Sequence, residues 1–230
     1  MRRLPVYLLI DTSGSMKGAP IDAVNKGLVL LVDALKVDPD MVETAYLSIL
    51  TFDRDVKEVL PLTELERLEK VPVLVTPESS PTHMGKALEV LIEKVEKDII
   101  RNTAGTNGDY KPLLFVITDG KPSDLDLYNR MTKKIKECKF GVIVACAAGP
   151  KAKTEPLMQL TDKDKICILS DMDEKSFANF FLCVSQSIPI SNWEWTPIAD
   201  LSSDIIPGRF DFIPDEEDDE DEKKDEDEGE

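Results

Sequence analysis

Three oxygen-bearing side chains follow one short apolar run near the start of the chain. Residues 6–10 read Val-Tyr-Leu-Leu-Ile, and Asp11, Ser13 and Ser15 come directly after them. An unbroken apolar run of this length is typical of a strand that is buried on both faces of a parallel sheet. Open α/β sheets bind ligands at the carboxyl ends of their strands. One carboxylate and two hydroxyls, without His or Cys, favour Mg²⁺ or Mn²⁺ over zinc.

A second apolar run also ends in an acid. Residues 112–118 predict another buried strand, and Asp119 follows it directly. If the two strands are neighbours in the sheet, Asp11 and Asp119 lie side by side. Two carboxylates roughly balance a dication, and an ion that takes six oxygens then keeps waters beside its hydroxyl ligands. The structural alternatives are an Asx turn with a helix cap at Asp11 and a simple turn at Asp119.

The spacing Asp-x-Ser-x-Ser after a first buried strand resembles the metal-ion-dependent adhesion site of von Willebrand factor A (VWA) domains. The resemblance implies that a Thr from a second loop and an Asp from a third complete the site. Thr82 is the matching Thr, although residues 79–81 read Ser-Ser-Pro where the family usually has glycines. An ordinary helix cap is the alternative role for Thr82. The metal ligands implied by the resemblance are Asp11, Ser13, Ser15, Thr82 and Asp119.

Three further stretches resemble the TerY-like branch of VWA proteins, which is associated with bacterial tellurite resistance. They are residues 2–11, 43–48 and 145–150, and the resemblance covers about residues 1–188. It implies a non-catalytic interaction module in which an Asp or Glu of a partner protein completes the coordination shell of the metal. It also implies a cytoplasmic stress-response system in bacteria, with protein kinase, phosphatase or other tellurite-resistance proteins as partners.

Two other functions stay open at this point. A strand-end Asp with Mg²⁺ also serves phosphoester hydrolases that use an aspartyl nucleophile. Those enzymes place a second acid two residues later, where this chain has Ser13. The single histidine, His83, is interpreted as a surface or helix-start residue, and no glycine-rich phosphate loop is present. We therefore predict that the protein is not an enzyme; the remaining alternative is a scaffold that recruits partners without metal.

Strands and helices must alternate along the chain to position these loops. Apolar residues at helical spacing predict helices over residues 20–36, 84–100, 124–138, 154–160 and 173–188. Apolar runs predict strands over residues 6–10, 45–52, 56–62, 112–118, 140–147 and 165–169. The second and third strands form a hairpin. The pattern predicts a three-layer, doubly wound α/β fold, whose mostly parallel sheet has one antiparallel edge strand.

Charge is distributed unevenly along the chain. The net charge is −17, and residues 215–230 hold thirteen acids and two lysines, which leaves −6 for the rest. Both parts are net acidic, so neither is expected to bind nucleic acid, whose phosphate backbone requires a basic patch. The loop acids Asp53, Asp55, Asp124 and Asp126 are interpreted as solvated turn residues.

The composition divides the chain into three parts. Residues 1–188 form the predicted metal-binding domain, and residues 189–214 form an irregular extension with two tryptophans that docks on the domain or on a partner. Residues 215–230 are predicted to be a disordered acidic tail.

The expected compartment is the cytoplasm. No apolar run approaches the roughly 20 residues of a membrane span, so no direct membrane insertion is expected, and no signal peptide is recognised. The four cysteines lack CxxC spacing and are predicted to be mostly buried free thiols in a reducing compartment.

Overall fold

The sheet brings the two acid-terminated strands side by side. The computed structural model describes residues 2–78, 80–103, 105, 107–150 and 152–186, and the backbone of 211–212. Its strands are β1 (Leu4–Asp11), β2 (Ala45–Phe52), β3 (Val56–Glu64), β4 (Leu113–Thr118), β5 (Val142–Ala148), β6 (Ile166–Leu169) and β7 (Asp211–Phe212). They form one sheet in the order β3-β2-β1-β4-β5-β6-β7. Because β1 lies parallel to both β2 and β4, the residues that follow β1 and β4 meet where the parallel strands end. We term this boundary of the sheet the carboxyl edge; it is distinct from the lateral edges, which are formed by edge strands.

The predicted fold class is confirmed. The strands from β1 to β6 are parallel except β3, which pairs antiparallel with β2 at one edge as the hairpin prediction requires. A second antiparallel pairing was not predicted: β7 lies along β6, with Phe212 opposite Cys167. This pairing falls inside the predicted extension 189–214. The rest of that extension and the acidic tail lie outside the described residues.

Helices cover both faces of the sheet. They are α1 (Ala19–Val37), α2 (Pro39–Thr44), α3 (Met84–Asp98), α4 (Leu125–Ile135) and α5 (Glu174–Gln186). α1 packs against α5 and α3 packs against α4, so each pair forms a layer. The sequence pattern missed α2, which is too short for a periodic signal and begins at an Asp38 cap. The predicted helix over residues 154–160 is only a 3₁₀ turn at Leu157–Gln159.

The first apolar run is buried because it faces a core on each side. Leu8 and Ile10 belong to the cluster under α1 and α5, whereas Tyr7 and Leu9 belong to the cluster under α3 and α4. Each buried side chain of this size contributes roughly 1.5–3 kcal/mol of transfer free energy. A polar residue is therefore excluded from β1 until the strand reaches the carboxyl edge at Asp11.

An ion pair stabilises the opposite boundary of the sheet, where the parallel strands begin, which we term the amino edge. Arg3 donates two hydrogen bonds to the carboxylate of Asp109, at 2.8 and 2.6 Å, and a third to the carbonyl of Asp98 at 2.7 Å. The side chain of Asp109 is only 3% exposed. This fork-to-fork pair ties the start of β1 to the loop that precedes β4.

Two predictions about the rest of the chain concern thiols and membranes. Cys146, Cys167 and Cys183 are buried free thiols, as expected, and Cys138 is a half-buried free thiol. None of the described helices combines the length and the apolar character needed to cross a bilayer.

Candidate metal centre

The Asp11 carboxylate lies fully buried at the end of β1. Its Oδ1 accepts the backbone N–H of Ser13 at 2.7 Å, and its Oδ2 accepts the hydroxyl of Thr118 at 2.6 Å. Thr118 is the last residue of β4, so this hydrogen bond joins the two strand ends across the sheet. Thr118 was not predicted from the sequence, because a threonine at a strand end carries no signal of its partner.

The other carboxylate, Asp119, lies on the loop after β4 and is held by the first loop. Ser15 donates a hydrogen bond from Oγ to Asp119 Oδ1 at 2.9 Å. The hydroxyls of Ser13 and Ser15 are 3.2 Å apart. The structure therefore brings Asp11, Ser13, Ser15 and Asp119 into one continuous hydrogen-bonded group.

Thr82 lies beside this group, on the loop that precedes α3. Its side chain is buried, and its Oγ1 is so close to the Asp119 loop that a Cβ added to Gly120 would lie 3.1 Å from it. Two hydrogen bonds with Ser123 hold this loop: Thr82 N–H donates to Ser123 Oγ at 3.2 Å, and Ser123 N–H donates to the Thr82 carbonyl at 2.8 Å. The proline at residue 81 thus does not keep Thr82 away from the site.

The N-terminus of α3 is capped by a residue that is distant in sequence. Asp124 accepts the backbone N–H groups of Gly85 and Lys86, at 3.0 and 2.8 Å. The interpretation of Asp124 as a solvated turn residue was wrong, because its carboxylate satisfies two of the four free N–H groups of this helix. The cap lies 39 residues after Gly85 in sequence, so no local motif marks it.

His83 does not join the predicted ligands. It occupies the residue before α3, as expected for a helix-start residue. Its Nδ1 lies 3.0 Å from the carbonyl oxygen of Arg54, and its backbone N–H donates to the carbonyl of Asp53 at 2.9 Å.

The two carboxylates of the site have no positively charged partner among the described residues. Burial raises the pKa of Asp11 to about 6, although hydrogen bonds from Thr118 and Ser13 oppose the rise and the charge of Asp119 adds to it. The pKa of Asp119 is also raised by burial, against the hydrogen bond from Ser15. Within the described part of the chain, neither carboxylate forms a salt bridge with a Lys, Arg or His.

The donors present fit a small, hard dication. An octahedral shell with metal–oxygen distances near 2.0–2.1 Å has neighbouring oxygens about 3 Å apart. The separations of Ser15 Oγ from Asp119 Oδ1 and from Ser13 Oγ, at 2.9 and 3.2 Å, match this spacing. Among the residues with described positions, no three or more His, Cys, Asp or Glu side chains are grouped so that they could hold a metal ion by themselves. Any metal bound here therefore depends on hydroxyl ligands in addition to the two carboxylates.

The sequence of this domain matches a known protein family. Residues 6–181 match the model of the von Willebrand factor type A domain. The chain belongs to this family. The match begins with the strand that carries Asp11 and ends within α5, so it includes every element of the candidate site in this VWA domain. It does not separate the branches of the family, so the TerY-like assignment stays a prediction. No curated protein matches the chain significantly.

Solved structures share the fold at low sequence identity. Proximal thread matrix protein 1 from the mussel byssus aligns with a TM-score of 0.60 and 15% identity, over 80% of this chain and 47% of that one. A structure of the same mussel protein with a zinc-occupied MIDAS motif aligns with a TM-score of 0.55 and 14% identity, over 80% and 46%. VWA2, an ArnB paralog from Sulfolobus acidocaldarius, aligns with 0.56 and 16%, over 80% and 45%. This VWA chain spans less than half the length of these proteins, and the likeness shows the fold alone.

Proposed function

We propose that this VWA domain is a non-catalytic interaction module that binds an Asp or Glu of a partner protein through a divalent metal. One observation carries the proposal: two adjoining carboxylates at the carboxyl edge, one of them fully buried, are surrounded by hydroxyl and amide donors but by no cation of the described chain. Burying a carboxylate without a counter-charge is strongly unfavourable. A bound dication would supply the missing charge.

The residues of the site have separate roles in this proposal. Asp11 and Asp119 provide the negative charge that holds the metal, and Ser13, Ser15 and Thr82 provide neutral oxygens. Thr118 and the Ser13 amide orient the Asp11 carboxylate, whereas Ser123 and Asp124 hold the loop of Thr82. When bound, the metal supplies an electrophilic position that accepts a carboxylate from outside the domain.

We propose Mg²⁺ or Mn²⁺ as the metal because all five candidate ligands are hard oxygen donors. The zinc-occupied MIDAS motif of the mussel protein makes zinc the metal to compare with them. The wider setting in bacterial tellurite or stress resistance, with kinase or phosphatase partners in the cytoplasm, is supported by the sequence resemblance alone.

The absence of catalysis is part of the proposal. Ser13 stands where an aspartyl phosphohydrolase needs its acid, and a serine hydroxyl cannot act as a general acid or base near neutral pH. The His83 ring is placed at the Arg54 carbonyl and is not among the residues grouped around Asp11. Turnover of a phosphoester by the pure protein, abolished by Asp11→Asn, would overturn this part.

Titration with Mn²⁺ tests the metal and the open position together. Bound Mn²⁺ should enhance the relaxation of water protons, and acetate or a Glu-bearing peptide should reduce the enhancement by displacing a metal-bound water. Asp11→Asn should abolish the enhancement, whereas Asp126→Asn, an exposed acid in the first turn of α4, should preserve it.

Thermal melting separates this function from a metal-independent scaffold. A ligand that binds only the native state stabilises it by about 2.7 kcal/mol at one hundred times its Kd. Mg²⁺ or Mn²⁺ should therefore raise the melting temperature of the wild-type protein and leave that of Asp11→Asn unchanged. Equal melting curves with and without these metals would leave only the scaffold.

A further inference from the structure

The described domain has one dense run of cations outside the metal site. Five of the ten residues from 130 to 139 are basic and only Glu137 is acidic, although the chain as a whole is strongly acidic. We define the α4 basic face as the exposed side chains of Arg130, Lys133, Lys134, Lys136 and Lys139. None of them forms a salt bridge within the described residues.

The end of this face lies at the amino edge of the sheet. Gly141, just after Lys139, donates its N–H to the carbonyl of Pro112 at 2.8 Å, and Pro112 directly precedes β4. Because β4 begins at this edge, the C-terminal turn of α4 and the residues after it also lie there. The metal site lies at the opposite, carboxyl edge.

The last described strand, β7, is directed toward the same edge. β7 is antiparallel to β6, so from Asp211 to Phe212 the backbone runs from the carboxyl edge toward the amino edge. Phe212 already pairs with the second residue of β6. The acidic tail begins three residues later, at Asp215, which is about 10 Å of extended chain.

A short series of contacts connects the start of β6 with the α4 basic face. Lys165 directly precedes β6 and forms a salt bridge with Asp162 at 2.6 Å. The pKa of Asp162 is lowered first by Lys165 and also by Lys136, which places Lys136 near this loop. The start of β6, where Phe212 pairs, and Lys136 thus lie toward the same corner of the domain.

We propose that the acidic tail, residues 215–230, docks in cis on the α4 basic face. The tail carries a net charge of −11 and the face carries five positive charges, partly offset by Glu137. Sixteen extended residues span up to about 50 Å, whereas the eleven residues of α4 span about 16 Å, so the tail is long enough to reach all five cations of the face. The contact is a set of ion pairs, and salt screens it.

This proposal is independent of the metal function, because the tail starts at the edge that lies away from Asp11. It leaves the carboxyl edge free for a partner. The alternative docking position for the tail is the metal site, whose loops carry Lys17 and Lys121. Zero-length carbodiimide cross-linking, which joins carboxylates to amines in direct contact, distinguishes the two positions.

The experiment uses the full chain in low salt with EDTA, and cross-linked peptides are identified by mass spectrometry. Tail carboxylates should couple to Lys133, Lys134, Lys136 or Lys139, and the products should vanish in 1 M salt. In an equal mixture of ¹⁴N and ¹⁵N chains, each cross-linked pair should carry one isotope only. Mixed-isotope pairs, coupling mainly to Lys17 or Lys121, or no coupling of the tail would each overturn the proposal.

A second measurement uses a matched variant of the same length. In this variant all thirteen tail acids are changed to Asn or Gln, which removes the charge and keeps the chain. Lysines of the α4 basic face should acetylate at least twofold more slowly in the wild-type protein than in the variant. Lys57, exposed on β3 at the far edge of the sheet, should acetylate equally in both. Equal rates at the α4 lysines would contradict docking.

Discussion

Both edges of the sheet bury a carboxylate, but they treat its charge differently. At the amino edge, Asp109 receives two hydrogen bonds from the guanidinium of Arg3. At the carboxyl edge, Asp11 receives hydrogen bonds from a backbone N–H and a hydroxyl, and from no cation of the described residues. The first arrangement is electrically complete and serves the fold. The second lacks a counter-charge among the described residues, and the proposed metal site rests on this deficit.

The pKa values of Arg3 and Asp11 differ in the same way as the charge compensation at the two edges. The pKa of Arg3 is raised, with the hydrogen bond to Asp109 as the largest cause, so the guanidinium stays charged. The pKa of Asp11 rises to about 6 because burial disfavours its anion and no cation compensates. A charged pair at one edge stabilises the native state, whereas the anion at the other destabilises it, a cost that the proposed dication would offset.

The largest expected effect comes from removing Arg3, the partner of the buried Asp109 carboxylate at the amino edge. Arg3→Met leaves the Asp109 carboxylate buried without its partner, and removing one member of a buried pair costs roughly 3–5 kcal/mol. Urea denaturation should show this loss, while the rise in stability on adding Mg²⁺ should persist. Replacing both residues, as Arg3→Met with Asp109→Leu, should recover part of the loss. A loss of the Mg²⁺ response in Arg3→Met would show that the edges are not independent.

Asp11→Asn tests the missing counter-charge at the carboxyl edge through the pH dependence of stability. The pKa of Asp11 is about 6 in the folded metal-free protein and near its ordinary value of 3.8 when unfolded. The folded state therefore binds more protons between these pH values, so Asp11 lowers stability as pH rises from about 4 to 6. The loss is roughly 3 kcal/mol.

The measurement is the free energy of unfolding in EDTA at several pH values. Asp11→Asn should lack this loss, so that it is relatively more stable than the wild-type protein at pH 7.5 than at pH 4. It should also lose the response to Mg²⁺. Parallel pH profiles of the two proteins would contradict the unpaired, buried state of Asp11.

Asp124→Ala should have a smaller effect that links the fold to the site. It removes the cap of α3, and losing a cap costs about 0.5–2 kcal/mol. Because α3 begins two residues after Thr82, Mg²⁺ should also bind more weakly. The matched control is Asp126→Ala, an exposed change in the next turn, which should stay within about 0.5 kcal/mol in stability. Equal behaviour of the two variants would remove Asp124 from the site.

The smallest effect is expected at Thr82. Thr82→Val keeps the shape of the side chain and removes its hydroxyl, so Mg²⁺ affinity should fall about fivefold, or about 1 kcal/mol. Thr82→Ser should retain most of the affinity. Mn²⁺ titration of the three proteins measures the difference. Equal affinities of Thr82→Val and the wild-type protein would show that Thr82 serves only to form the loop.

Prediction from the sequence succeeded where a signal was local. The strands were recognised because burial on both faces requires uninterrupted apolar residues, as in β1 and β4. It failed where the partner is distant, as at Asp124, whose carboxylate caps a helix 39 residues earlier. It also failed at α2, which has a cap but too few turns for periodicity.

The sequence by itself determined that two acids and several hydroxyls follow apolar strands, because strand burial and side-chain chemistry are properties of neighbouring residues. Only the tertiary structure decided that β1 and β4 are adjacent and that Thr118 bonds to Asp11 across a separation of 107 residues. It also decided that Arg3 reaches Asp109 while no described cation reaches Asp11. Charge compensation depends on which distant residues meet, and chain folding alone settles that.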